Sequence, residues 1–109
     1  MTVTAARTGD GTFMGHPKGL FYLAFTEADF DLLVDVNLKA TFFMCAAAIP
    51  ALRVSHGAIV NISSDAGRQG NAGAAAYCAT KGAVTNFTRA LALDLAPHLV
   101  RVNSVSPGD

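Results

Sequence analysis

The stretch 57-GAIVNISSDAGRQGNAGAAAYCATKGAV-84 decides how the chain reads. It opens on a β-branched run of strand length, closes that run with Ser63 and Ser64, crosses a loop with Gly67, Gly70 and Gly73, and enters an alanine-rich segment carrying Tyr77 and Lys81. From Tyr77 to about Ala96 the apolar residues Val84, Phe87, Leu91 and Leu95 recur at helical spacing, with Pro97 beyond the end. "LVRVNSV" follows as a second strand, closed by Pro107 and Gly108. Strand, long helix and strand make a βαβ unit with parallel strands and a right-handed crossover, so the predicted fold class is α/β.

Upstream, Thr26 followed by Glu27 and Asp29 reads as a helix N-cap with acidic residues in the first turn, where they favour the positive end of the helix dipole. Phe30, Leu33, Val34, Leu38, Phe42, Cys45, Ala46 and Ile49 continue at helical spacing until Pro50 disturbs the end. This predicts a long, mostly buried helix over residues 26–52. Asn37 falls within its apolar face. A buried amide left without a partner costs about 1–3 kcal/mol, so Asn37 is either a structural bridge or part of a site. Residues 1–25 show no sustained period, broken by Gly9, Gly11, Gly15, Pro17 and Gly19, and read as an irregular lead-in to the segment 26–109.

The bulk properties narrow the function. A chain of 109 residues is one domain or less, and with 51% apolar and 15% charged residues it should bury a core. Eight Lys plus Arg balance eight Asp plus Glu, without a basic cluster interleaved with aromatics, which argues against a nucleic-acid partner. The apolar run Ala40 to Leu52 is too short to span a bilayer and the N-terminus lacks a signal-peptide layout, so no membrane partner and a cytoplasmic location are expected. Cys45 and Cys78 lack metal-ligand spacing and read as small hydrophobes, while His16, His56 and His98 are scattered and read as surface or capping residues. No metal site is expected.

The glycines raise the question of a phosphate loop. Gly67, Gly70 and Gly73 lie between a strand and a helix, but their spacing is G-x-x-G-x-x-G, whereas the dinucleotide fingerprint needs two glycines one residue apart. Gly9 and Gly11 supply such a pair without a strand ahead of them. Neither stretch reads as a cofactor loop.

Tyr77 and Lys81 lie one helical turn apart on the same face. A free tyrosine hydroxyl titrates near ~10, and a neighbouring ammonium stabilises the phenolate, so the pair makes a proton donor; packing of an aromatic on a lysine stem is the structural alternative. Ser64 stands thirteen residues before Tyr77, at the C-terminal end of a strand, where open α/β sheets place their ligands.

"DVNLKATFF", "GAIVNISS", the Ser64–Tyr77 spacing, "YCATKGAV" and "RVNSVSPG", in that order over residues 26–109, resemble the short-chain dehydrogenase/reductase family. The resemblance implies a partial Rossmann-type doubly wound parallel sheet and an NAD(P)-dependent oxidoreductase that transfers hydride between a nicotinamide cofactor, NAD or NADP, and an alcohol or carbonyl substrate. It assigns Tyr77 as general acid/base, Lys81 to lower the tyrosine pKa and hold the nicotinamide ribose, Ser64 to orient and polarise the substrate oxygen, and Asn37 to fix a water in the proton relay. Pro107 and Gly108 would border the nicotinamide, so Asn37, Tyr77, Lys81, Pro107 and Gly108 form the implied cofactor contacts. The glycines at 67, 70 and 73 resemble the family's loop near the substrate, and the helices at 26–52 and 77–96 resemble its homodimer interface.

The chain also departs from that pattern. The family's glycine-rich loop, its cofactor-selecting residue and its Asn-Asn-Ala-Gly stretch should precede "FTEADF", and none is visible. A full doubly wound sheet, at ~30 residues per βαβ unit, needs well over this length. The expected object is a helix–strand–helix–strand segment from the catalytic centre of such an enzyme, with one sheet face and one strand edge bare. Two functional readings follow: an oxidoreductase, or a non-catalytic truncated fragment able only to associate through its helices.

Overall fold

Thr26 starts the first helix by satisfying its free N–H groups. Its Oγ1 accepts from the Asp29 N–H at 3.1 Å and its own N–H donates to Asp29 Oδ2 at 3.0 Å, a reciprocal capping box. The computed structural model describes residues 25–108; His16, Gly9, Gly11 and all of the lead-in but Phe25 lie outside the described residues. Helix α1 covers Glu27–Val34, a π-helical turn covers Asp35–Lys39, and α2 continues over Ala40–Ser55. The helix expected at 26–52 therefore contains one widened turn, in which the Ala40 N–H reaches back to Asp35 O.

Pro50 does not end the helix. Its missing N–H would have paired with Ala46, and both residues are exposed, so water can replace the lost bond. His56, in the left-handed conformation with φ 55°, ends α2 and turns the chain at Gly57.

Strand β1 (Ala58–Ile62) pairs in parallel with β2 (Arg101–Val105), Ala58 opposite Arg101 and Ile62 opposite Val105. Between them run a 3-10 turn at Asp65–Gly67, helix α3 (Ala75–Leu95) and a 3-10 turn at Ala96–His98. This is the expected βαβ unit, with α3 beginning two residues ahead of Tyr77.

The core lies on one face of the sheet. Ile59 and Val102 point into it and meet Cys45 from α2, Leu91 and Leu95 from α3, and Val100, with Ile49, Leu52 and Phe87 closing the rim. Burying one such aliphatic side chain contributes about 1.5–3 kcal/mol, which makes this cluster the main adhesive of the described residues. The opposite face is bare, as anticipated: Val60 and Ile62 are each 58% exposed.

The first helix is far less buried than its periodicity implies. Cys45 is its sole buried residue among those described, and Phe43 and Met44 are largely exposed. Periodic apolar residues show that a helix wants partners, but among the described residues the helix meets chiefly β1 and α3, and they cover one side.

The continuous helical span Glu27–Ser55 is also long and apolar enough to cross a membrane, an 18-residue stretch within it having mean hydropathy 1.7, so the length argument from Ala40–Leu52 does not hold. The same span packs Cys45 into the sheet core and hydrogen-bonds α3 through Asn37.

Candidate active site

The C-terminal ends of β1 and β2 gather the residues singled out from the sequence. Lys81, in the second turn of α3, sends Nζ to Ile62 O at 3.1 Å, so its ammonium sits on the last residue of β1. The same Nζ lies 5.8 Å from the centroid of the Tyr77 ring, at the outer limit of a cation–π contact. The spacing of four thus does place the charge beside the phenol.

Asn37 is tied to the same turn of α3. Its Nδ2 donates to Thr80 Oγ1 at 3.1 Å, and Thr80 Oγ1 donates to Tyr77 O at 2.9 Å. Asn37 O accepts the Thr41 hydroxyl at 2.9 Å. Asn37 therefore has a structural partner: its amide fastens the π-helical turn to the tyrosine's own backbone through Thr80. Thr80, 3% exposed, completes that link and was not singled out from the sequence. Its signal was faint, a hydroxyl beside Lys81 on the buried face of the helix.

Ser64 lies directly beyond β1, buried. Its Oγ accepts the Ala66 N–H at 3.1 Å, capping the 3-10 turn, and donates to Asp65 Oδ1 at 3.1 Å. Among the described residues no hydrogen bond joins Ser64 to Tyr77. The Asp65 N–H donates to Pro107 O at 2.9 Å, which draws Pro107 and Gly108 up to the serine turn.

Ser63 anchors the arrangement from below. Its Oγ and Thr85 Oγ1 are in hydrogen-bond contact with each other and each lies 3.0 Å from Lys81 O, so that one hydroxyl donates to the carbonyl and the other to its neighbouring hydroxyl. Gly67 seats against this knot: a Cβ there would fall 2.5 Å from Ser63 Oγ, 2.6 Å from Thr85 Oγ1 and 2.7 Å from Lys81 O. Only glycine lets the loop approach the helix that closely. Gly70 has open space around it and Gly73 adopts φ 79°, so of the three loop glycines one serves close approach and another a left-handed turn.

A cleft of about 470 Å³ runs between α2 and β1, with Asn37, Thr41, Met44, Asn61, Ile62 and Lys81 among its lining. A second concavity of about 500 Å³ lies at the opposite end, beside His56 and His98, and contains none of the predicted site residues. His56 and His98 sit at element ends, as read from the sequence. Cys45 and Cys78 are both free thiols. Burial pushes the Cys45 thiol above its ordinary range, against an opposing hydrogen bond to Asn61 Oδ1 at 3.4 Å.

The arrangement brings a phenol, an ammonium and a buried hydroxyl to one end of a parallel sheet, a combination suited to proton transfer at an alcohol or carbonyl oxygen. The chain is 47% identical over 94 residues to the L-fucose dehydrogenase of Mus musculus, covering 86% of this chain and 34% of that protein. It is 49% identical over 84 residues to the cyclopentanol dehydrogenase of Comamonas testosteroni, covering 76% of this chain and 34% of that enzyme. The chain thus spans about a third of the length of these curated relatives. Among solved structures it resembles a 4-hydroxyisoleucine dehydrogenase complexed with NADH and succinate, at TM-score 0.75 and 35% identity, over 80% of this chain and 42% of that one. An NAD+-bound xylitol dehydrogenase superposes with the same TM-score, 0.75, at 36% identity, over 80% of this chain and 34% of that one. The short chain dehydrogenase family model matches residues 14–109, starting inside the stretch read as lead-in, and the chain belongs to that family.

Proposed function

We propose that the chain carries the catalytic part of an NAD- or NADP-dependent oxidoreductase acting on a small hydroxyl or carbonyl compound. The observation that carries this reading is the placement of Lys81, whose ammonium is held at the end of β1 and beside the Tyr77 ring. When bound, a nicotinamide dinucleotide supplies the two-electron donor or acceptor for the substrate carbon. The described residues fit its nicotinamide end: one hydrogen bond of Lys81 goes to Ile62 O, leaving further N–H donors for ribose hydroxyls, and Pro107 and Gly108 lie beside Ser64 through the Asp65 link.

In oxidation Tyr77 Oη takes the hydroxyl proton of the substrate, and in reduction it returns that proton to the carbonyl oxygen. Lys81 supplies the positive charge beside the phenol, Ser64 holds the substrate oxygen, and Asn37 fixes the relay water and the depth of the tyrosine turn through Thr80. The substrate belongs with the small hydroxyl compounds for which the relatives are named. We place the protein in the cytoplasm with no membrane partner, supported by the contacts of the helical span with the sheet core through Cys45 and with α3 through Asn37.

The test is a titration of NADH and NADPH into the chain, followed by nicotinamide fluorescence, together with alcohol oxidation assays. Saturable binding lost in Lys81→Ala, and a rate lowered about 100-fold or more in Tyr77→Phe, are expected. Binding unaffected by Lys81→Ala, or full activity in Tyr77→Phe, would overturn the proposal.

A second reading rests on the exposed apolar surface. Phe43, Met44 and Leu93 on the helices and Val60 and Ile62 on the sheet remain open to solvent, and surfaces of this kind favour association. On that reading the 109-residue chain performs no chemistry and forms a homodimer through α1–α2 and α3. Absence of cofactor binding combined with a dimer in sedimentation would favour it; a monomer at all concentrations would exclude the dimer.

A further inference from the structure

Lys81 is gripped at both ends by two consecutive residues at the end of β1. Its ammonium lies 3.1 Å from Ile62 O, and its carbonyl lies 3.0 Å from Ser63 Oγ. An ammonium on a flexible four-carbon stem has a defined position only when the root of the stem is fixed as well as its tip. Thr85 Oγ1 is also 3.0 Å from that carbonyl, but Thr85 belongs to α3, one turn beyond Lys81, so its contact is internal to the helix. Of the two hydroxyls, Ser63 is the one that ties the lysine root to the sheet, directly or through Thr85 Oγ1.

The strand gives Ser63 this task. Side chains alternate along a strand, so Ser63 continues the face of Ile59, which enters the core, and of Asn61, which bonds Thr88 on α3. Ser63 is 3% exposed, and its N–H donates to Val105 O at 2.7 Å. Val105 ends β2 and leads into Pro107 and Gly108. One residue is thus fixed to Lys81 on one side and to the strand that carries the 107–108 turn on the other. Ser64 starts the 3-10 turn and keeps its separate place at the substrate oxygen.

We infer that Ser63 is a positioning residue for cofactor binding, which fixes the root of Lys81 against the end of β1 and keeps it in a set relation to the 107–108 turn. This rests on the proposed oxidoreductase function. Ser63 touches neither cofactor nor substrate in this account and acts only through Lys81.

The experiment titrates NADH and NADPH into the full chain by nicotinamide fluorescence and measures chemical denaturation, for the parent, Ser63→Ala, Ser63→Thr and Thr88→Val. Ser63→Ala orphans no polar group, since the Thr85 hydroxyl can give its proton to Lys81 O, so stability should stay near that of the parent. Cofactor affinity should nevertheless fall by roughly threefold to tenfold, the worth of one hydrogen bond. Ser63→Thr keeps the hydroxyl and should keep the parent's affinity, whatever its added methyl costs in stability. Thr88→Val lies on the same helix but serves Asn61, so it should lower stability and leave affinity unchanged. A merely structural role would make affinity follow stability across the three variants. Saturable binding in the parent with unchanged affinity in Ser63→Ala, or affinity that follows stability throughout, overturns this inference alone. No saturable binding in the parent overturns the proposed function and the inference with it.

Discussion

The two halves of α3 are held to the sheet by different kinds of contact. From Tyr77 to Thr88 the helix meets β1 and its flanks through hydroxyls and carbonyls: Thr80 with Asn37, Lys81 with Ile62 O and Ser63, Thr85 with Ser63, and Thr88 with Asn61. From Leu91 to Leu95 it meets β1, β2 and α2 through aliphatic burial against Ile59, Val100, Val102 and Cys45. Burial is roughly proportional to area and indifferent to direction, so it supplies stability without fixing a rotation. Hydrogen bonds weaken steeply with misalignment, so a row of them fixes the depth and rotation of the helix. The proposed chemistry sits on the directional half, where Tyr77 and Lys81 inherit that positioning.

The sharpest way to break the contrast is to cut each half separately. Leu95→Ala, on the aliphatic half, should lower stability by about 2–5 kcal/mol, read as the loss in chemical denaturation, while cofactor affinity below the melt stays near that of the parent. Selective loss of cofactor affinity with normal stability would show that the two halves do not divide the work in this way.

Gly67→Ala acts on the other half. The added methyl meets Ser63 Oγ, Thr85 Oγ1 and the Lys81 carbonyl, so the loop or the helix has to move, at about 1–3 kcal/mol. Here cofactor binding should fall along with stability, because the displaced carbonyl belongs to Lys81. Unaltered binding and melting would contradict the close approach.

Thr88→Val keeps the shape but removes the acceptor of the Asn61 Nδ2 hydrogen bond, 3.0 Å long and buried. A loss of about 1–2 kcal/mol in denaturation is expected from the amide left unpaired. Asn61→Leu in the same background should recover part of it, since the orphaned amide is gone and only the weak thiol donor of Cys45 loses a partner.

The smallest effect concerns pH. Burial raises the Cys45 thiol above its unfolded value, so the native state binds this proton more tightly than the unfolded state does. Its contribution is fully present below the ordinary thiol range, about pH 8.5, and is lost as pH rises through the raised folded value. Stability should therefore fall more steeply on the alkaline side in the parent than in Cys45→Ala; equal slopes would count against the buried protonated thiol.

The two ends of the molecule were not equally legible. Strand β1, α3, β2 and the N-cap at Thr26 could be read directly, because the β-branched run, the helical period and a capping residue ahead of acidic ones act within a few residues. The widened turn at Asp35–Lys39 could not; the bond it carries, from Asn37 to Thr80, joins residues far apart in the chain. The passage of α2 through Pro50 was hidden as well. A proline signals a missing donor, but whether the orphaned carbonyl faces water depends on what surrounds the helix.

By itself the sequence determined the order helix, strand, helix and strand, the parallel pairing, and the candidates Asn37, Ser64, Tyr77 and Lys81, since local periodicity, chain length between strands and motif spacing carry that information. Tertiary structure alone decided that Asn37 holds the tyrosine turn through Thr80, that Gly67 must be small, that the Ser64 proton points to Asp65, and that most of α1–α2 stays exposed. Each of these depends on which distant surface arrives against a residue, and only packing in three dimensions settles that.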